Sequence, residues 1–208
     1  WAAGVPAAAV TDFRFEDQHR GVVAGVDEAG RGPWAGPVVA AAVILDRQNV
    51  PAGLNDSKQL SEAARERLFE AIIASARHGI GMASVAEIDA LNIHWATMLA
   101  MARAVTALGS PPDHVLVDGN RLPRWGNAAT AIVKGDARSC SIAAASILAK
   151  VTRDRLMAAL DAECPGYGWA ANKGYGTAAH ARGLAALGVT VHHRRSFAPV
   201  KARMQLSA

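Results

Sequence analysis

The stretch VVAGVDEAGRGPWAG, Val22–Gly36, constrains this chain more than any other. An apolar run leads directly into two adjacent carboxylates, Asp27 and Glu28. A Gly-Arg-Gly follows, and Pro33 and Pro37 stand close by. Acids at the exit of a buried strand are costly unless something balances their charge. A divalent cation is a natural counter-charge. Gly30 and Gly32 let the backbone approach a ligand closely, and Arg31 adds a charge suited to phosphate. Metal ligands beside a phosphate or sugar contact point to a nuclease or a phosphotransferase.

The same stretch fits the loose dinucleotide fingerprint GxGxxA at GRGPWA. That motif must open a helix whose N-terminus receives a pyrophosphate. Here Pro37 and VVAAAVIL follow, which read as a strand, so we reject that assignment.

Val22–Val26 and Val38–Leu45 read as buried strands joined by a Gly/Pro-rich turn. A helix follows with Ser61 as N-cap and Leu68, Ile72 and Ile73 on one face. Gly79–Val85 reads as a short strand, Ala86–Leu91 as a helical turn and Ile93–Leu108 as a longer helix stopped by Gly109, Pro111 and Pro112. His114–Val117 is a strand ending on Asp118. Thr130–Val133 is a strand running into Lys134-Gly135-Asp136. Cys140–Leu160 is an Ala-rich helix, CPGYGW and NKGYGT are loops, and Ala178–Leu187 is a further helix. This order predicts an α/β fold with a mixed sheet. The first three strands form a meander, and two more lie alongside the first. Residues 1–20 read as an N-terminal extension and residues 21–208 as one catalytic domain with a C-terminal helical region.

Hydrophobic residues make up 51% of the 208 and charged ones 19%, which supports a large core and excludes wholesale disorder. The net charge of +4 is compatible with nucleic acid without demonstrating it. The two cysteines, Cys140 and Cys164, form no CxxC pair, so reduced thiols in a cytoplasmic protein are expected. No apolar run reaches membrane-spanning length. WAAGVPAAAV lacks a basic leader and is not read as a signal peptide.

Asp27, Glu28, Asp118 and Asp136 each fall where an apolar strand ends. Two Mg²⁺ or Mn²⁺ ions about 4 Å apart can clamp the attacking and leaving oxygens of a phosphodiester, and such ions need several oxygen ligands. Neighbours on a strand point to opposite faces. Asp27 and Glu28 are therefore expected to share a site through a turn just after Asp27. A single strand-end acid is more often a turn residue or cap; the set of four favours a metal site. Asn55 and Lys58 in NDSK are candidates for phosphate contact, with helix capping the simpler account in isolation. Asp154 in KVTRDR is expected to pair with a neighbouring cation at helical spacing. Tyr175 in NKGYGT is either a loop anchor or a platform for a sugar or base. The run His192-His193-Arg194-Arg195 is expected to be a solvated basic surface.

Taken together, GVDEAGRGPWAGPVV, LNDSKQLS, LNIHWATMLAM, VLVDGN, VKGDARSCSIAAASILAKVTRD, NKGYGT and HRRSFAPVK resemble bacterial ribonuclease HII. The resemblance runs in order from about Val22 to Lys201. It implies a ribonuclease H-like fold, a five-stranded mixed sheet flanked by helices with a C-terminal helical extension. It implies metal-dependent hydrolysis of the RNA strand of RNA/DNA hybrids, and incision 5′ of ribonucleotides embedded in duplex DNA. By motif, the ligands would be Asp27, Glu28, Asp118 and Asp136. Gly30, Arg31 and Gly32 would read the ribose 2′-hydroxyl, and Tyr175 would stack on the sugar of the following nucleotide.

Two other readings share the residues. One is a DNA-processing nuclease or integrase on the same fold, since fold alone does not set substrate. The other is a non-catalytic hybrid-binding protein, which a full acid set disfavours because bare carboxylates repel phosphate. A monomer is expected. Gln205-Leu206-Ser207 offers three residues of a sliding-clamp peptide, for which an ordinary frayed tail is the simpler account.

Overall fold

The computed structural model describes residues 11–206. The segment WAAGVPAAAV and Ser207 of the clamp-like tripeptide lie outside the described residues. Five strands form one sheet: β1 (Val23–Ala29), β2 (Val38–Ile44), β3 (Arg77–Ala83), β4 (His114–Asp118) and β5 (Ala129–Ile132). Their spatial order is β3-β2-β1-β4-β5. β2 pairs antiparallel with both β1 and β3, and β4 pairs parallel with both β1 and β5. This is the expected meander with two strands added beside the first. The three parallel strands β1, β4 and β5 therefore deliver their C-terminal ends to the same edge.

Alternation along β1 assigns its two faces. Ala24 and Val26 enter a core with Val38, Ala40 and Ala42 of β2 and with α2 (Val85–Thr106). The other face of the sheet meets α3 (Cys140–Glu163), and α1 (Glu62–Ser75) packs against α3 in turn. Gly25 explains how close α3 comes. A Cβ built there would lie 2.2 Å from the Ser141 carbonyl carbon and 2.3 Å from the Ile142 nitrogen. Only a residue without a side chain admits the helix backbone at that distance.

The helices start where local chemistry provides caps. Ser61 accepts the Ala64 N–H at the start of α1, and Ser139 accepts the Ile142 N–H at the start of α3. At α2, Ser84 and Glu87 form a reciprocal capping box. That box ends β3 at Ala83, two residues before the expected limit, and absorbs Val85 into the helix. The expected break between helical turn and helix survives as a kink at Asn92, whose φ is +67°. Its side chain accepts the N–H groups of His94 and Trp95 and so starts the second half.

Beyond α3 lie a one-turn helix α4 (Trp169–Asn172), α5 (Ala178–Leu187) and α6 (Ala198–Gln205). α4 and α6 were not expected. α4 forms inside a segment read as loop, around Trp169, which is fully buried. Among the described residues, no helix is long and apolar enough to cross a membrane.

Candidate active site

The parallel pairing of β1 with β4 brings the first two acids together. Val26 is the partner of Val117, so Asp27 and Asp118 are the next residues along neighbouring parallel strands. They lie on the same side as Leu116 and Gly25, the side covered by α3. Asp136 arrives from the chain after β5. Lys134 adopts the left-handed conformation, φ +56°, and a 3₁₀ turn over Gly135–Ala137 follows. The Gly135 N–H donates to Asp118 Oδ1 at 2.7 Å, which ties that turn to β4. As a result Asp27, Asp118 and Asp136 each place a carboxylate oxygen within 4.8 Å of the other two.

Glu28 departs from expectation. The chain does not turn after Asp27; β1 runs on to Ala29, with Asp27 opposite Ala41 and Glu28 opposite Ala40. Glu28 therefore projects to the α2 side and stands outside the three-carboxylate cluster. It lines the cleft that Asp27 and Asp118 line, and a second cavity with Asp118, Arg31 and His94. Its carboxylate lies 3.3 Å from the Arg31 guanidinium.

The electrostatics of the cluster are unbalanced. Burial, and then the negative charges of Glu28 and Asp118, push the Asp27 carboxyl well above the usual carboxylate range. Burial and Asp136 raise Asp118 as well. Burial also raises Glu28, against the pull of Arg31. Lys58 stands 3.0 Å from Asp136 Oδ2. Burial acts against its ammonium, but Asp136, Asp56 and Asp27 outweigh it and raise its pKa above the ordinary lysine value. The donors are all hard carboxylate oxygens that remain short of positive charge, which is what a Mg²⁺ or Mn²⁺ ion requires. The residues present therefore fit such an ion.

The other candidates divide. Lys58, Gly30, Arg31, Gly32 and Tyr175 line one cleft with Asp27 and Asp118. The Tyr175 ring is half exposed and lies beside Gly32. Asn55 does not line this cleft; its side-chain oxygen accepts the Asp56 N–H at 2.8 Å. Asp154 takes the Lys150 ammonium on both oxygens at 2.7 Å, the helical ion pair expected of it.

The run His192–Arg195 is not the solvated surface expected of it, because His193 and Arg194 are fully buried. Arg194 reaches the carbonyls of Gly30, Arg31, Gly36 and Pro37. Arg153, also buried, takes the carbonyls of Ala35, Pro37 and Lys173 and so joins the Gly-Arg-Gly loop to the Tyr175 loop. Gly30, at φ +97°, leaves the space that Arg153 occupies; a Cβ there would lie 1.9 Å from Arg153 Nε. A third set of buried groups supports Tyr175 from below. Its carbonyl accepts from His180 Nδ1 at 3.0 Å, and His180 Nε2 meets both Trp169 Nε1 and His193 Nε2 at 3.1 Å.

This architecture has close counterparts. The family model of ribonuclease HII matches residues 24–200. The chain belongs to the ribonuclease HII family. A ribonuclease HII of Jannaschia sp. (strain CCS1) is 61% identical over 190 residues, covering 91% of this chain and 96% of that protein. Among solved structures, ribonuclease H2 from Pyrococcus horikoshii OT3 superposes with a TM-score of 0.71 at 28% identity, covering 89% of this chain and 98% of that one. The RNase HII of Archaeoglobus fulgidus, solved as a PCNA complex, superposes with a TM-score of 0.71 at 28% identity, covering 83% of this chain and 93% of that one. Membership of this family makes the chain an endoribonuclease of the ribonuclease H class, built on the ribonuclease H-like fold.

Proposed function

We propose that this chain is a metal-dependent endonuclease that hydrolyses the RNA strand of RNA/DNA hybrids and incises 5′ of ribonucleotides embedded in duplex DNA. The observation that carries this reading is the convergence of Asp27, Asp118 and Asp136 within 4.8 Å, with Asp27 and Asp118 lining the cleft that Gly30–Gly32 also lines. Asp27, Asp118 and Asp136, with Glu28 at the rim, would hold Mg²⁺ or Mn²⁺. When bound, the metal would activate the attacking water and stabilise the leaving 3′-oxygen.

The chain's own residues supply selection and positioning. The 2′-hydroxyl distinguishes RNA from DNA. The N–H groups of Arg31 and Gly32 make no hydrogen bond within the described chain and are available to it. A deoxyribose would leave such donors unpaired, which gives a large penalty for a small chemical difference. Tyr175 offers a ring face to the sugar of the next nucleotide. Lys58 and Arg31 hold phosphate, and their contacts carry no sequence information. The reaction joins water oxygen to phosphorus and breaks the bond to the 3′-oxygen, leaving a 3′-hydroxyl and a 5′-phosphate. This chemistry suits removal of ribonucleotides from DNA.

The deciding experiment is cleavage of a labelled DNA duplex carrying one ribonucleotide, with Mg²⁺, with Mn²⁺ and with EDTA, beside an all-DNA duplex. The expected result is a metal-dependent cut 5′ of the ribonucleotide with the control intact. Equal cutting of both duplexes would favour an integrase-like nuclease. A 2′,3′-cyclic phosphate end would make the 2′-oxygen the nucleophile and overturn the mechanism. Contact with a sliding clamp is a secondary reading, prompted by the Archaeoglobus complex. Leu206 at the end of α6 is 80% exposed, and co-elution with a clamp protein tests it.

A further inference from the structure

The Gly-Arg-Gly loop is shaped from behind. Gly30–Gly36 lies outside every helix and strand, and one isolated bridge, Ala35 with His193, ties it to the C-terminal region. Its carbonyls turn inward to Arg194. Nη2 donates to Gly30 O at 2.6 Å, Nη1 to Arg31 O at 3.0 Å and Nε to Gly36 O at 2.9 Å. Nη2 also reaches Pro37 O at 3.2 Å. Among the described residues, no carboxylate forms a salt bridge with Arg194. The positive charge is met by carbonyl dipoles and, without direct contact, by the Asp89 carboxylate. Burial, and then Arg153 nearby, lower its pKa to about 9. A buried cation with no carboxylate in contact is expensive, so its placement here calls for a specific reason.

Peptide geometry supplies one. In a trans peptide the carbonyl of one residue and the N–H of the next point in opposite directions, and no described peptide is cis. With Gly30 O directed at Arg194, the Arg31 N–H must face away from it. With Arg31 O directed there too, so must the Gly32 N–H. Neither of these N–H groups has a partner among the described residues, and their residues line the cleft. The planar guanidinium has a fork of donors that a lysine ammonium cannot reproduce. Hydrogen bonds on the two ends of one peptide also polarise each other.

We propose that Arg194 is a positioning residue for ribonucleotide selection: by holding the Gly30 and Arg31 carbonyls it aims the Arg31 and Gly32 amides at the 2′-hydroxyl. This rests on the ribonuclease reading above. The test compares binding to a duplex with one ribonucleotide and to the same duplex in all-DNA form, with Ca²⁺ in place of Mg²⁺ to leave both uncut. Arg194→Lys is compared with wild type and with the exposed neighbour variant Arg195→Ala, and thermal unfolding reports on each fold.

The expected result is a preference for the ribonucleotide duplex that falls about tenfold in Arg194→Lys, the scale of one misaligned hydrogen bond. Its affinity for all-DNA duplex and the preference of Arg195→Ala stay as in wild type. A folded Arg194→Lys that keeps the full preference would overturn the proposal. If Arg194→Lys does not fold, the Arg194 Nε–H resonance of the wild-type protein decides. It should shift with the ribonucleotide duplex and not with the all-DNA duplex; equal shifts overturn the proposal. A wild type that binds both duplexes equally removes the ribonuclease reading itself, and the proposal with it.

Discussion

The Lys58 ammonium stands 3.0 Å from Asp136 Oδ2, although 78 residues of chain separate the two. The lysine side chain remains 74% exposed while the carboxylate is 8% exposed. One end of this pair therefore faces the buried acids and the other faces the solvent from which substrate arrives. Lys58→Ala should weaken binding to any duplex and flatten its salt dependence by about one unit of log-log slope, as for one lost phosphate contact. Binding titrations at several salt concentrations measure this slope. An unchanged slope would confine Lys58 to holding Asp136.

The cluster itself sets activity against stability. Asp118→Asn removes one of three mutually repelling charges and one proposed metal ligand. In EDTA the variant should melt about 2–4 °C above wild type, the shift produced by about 1 kcal/mol in a chain of this size. Added Mg²⁺ should raise the melting temperature of wild type and leave that of the variant nearly unchanged, and cleavage should fall at least about a hundredfold. Thermal scans with and without metal give both readings. A variant that melts lower in EDTA would show that Asp118 is held by more than its neighbours' charge.

At Gly25 the limit is steric. Gly25→Ala would drive a methyl group into the backbone of Ser141 and Ile142. Overpacking of this kind costs about 1–3 kcal/mol, and it displaces β1 from α3 two residues before Asp27. Urea unfolding should show the loss of stability, and cleavage should fall further than stability alone explains. Unaltered stability would mean that α3 is free to move away.

His193 gives the protein an acid-sensitive element. Burial, followed by the charges of His180 and His192, lowers its pKa to about 4. The folded form thus prefers neutral imidazole, whereas an unfolded histidine titrates near its ordinary 6.5. The resulting stability is present in full above pH 6.5 and is lost as pH falls from there through about 4. It amounts to roughly 3 kcal/mol. Unfolding midpoints at pH 7 and pH 4.5 should differ more in wild type than in His193→Asn. Equal differences would place the acid sensitivity elsewhere.

Much of the sheet could be read from the chain because its signals are local. Runs such as VVAAAVIL are long enough for buried strands, and the sheet order follows from where the tight turn and the long connections fall. The strand-end acids were legible for the same reason, as Asp27 and Asp118 each follow an apolar run. The direction of Glu28 was not, because the glycines at 30 and 32 suggested a turn that begins only after Ala29. The start of α2 is marked in Ser84-Val85-Ala86-Glu87 by a capping-box spacing, which the apolar residues on either side make resemble a continuing strand. Arg194 gave no signal at all. Its partners lie more than 150 residues earlier in the chain, and a run of histidines and arginines looks the same whether it faces water or carbonyls.

The contacts between Arg194 and the loop also have an order in synthesis. All four acids have been made by residue 136, whereas the side chain on which the Gly30 and Arg31 carbonyls close is added only at residue 194. A nascent chain halted short of residue 194 would carry every carboxylate and none of that support. The acids are thus in place before the residue that shapes their neighbouring loop has been added.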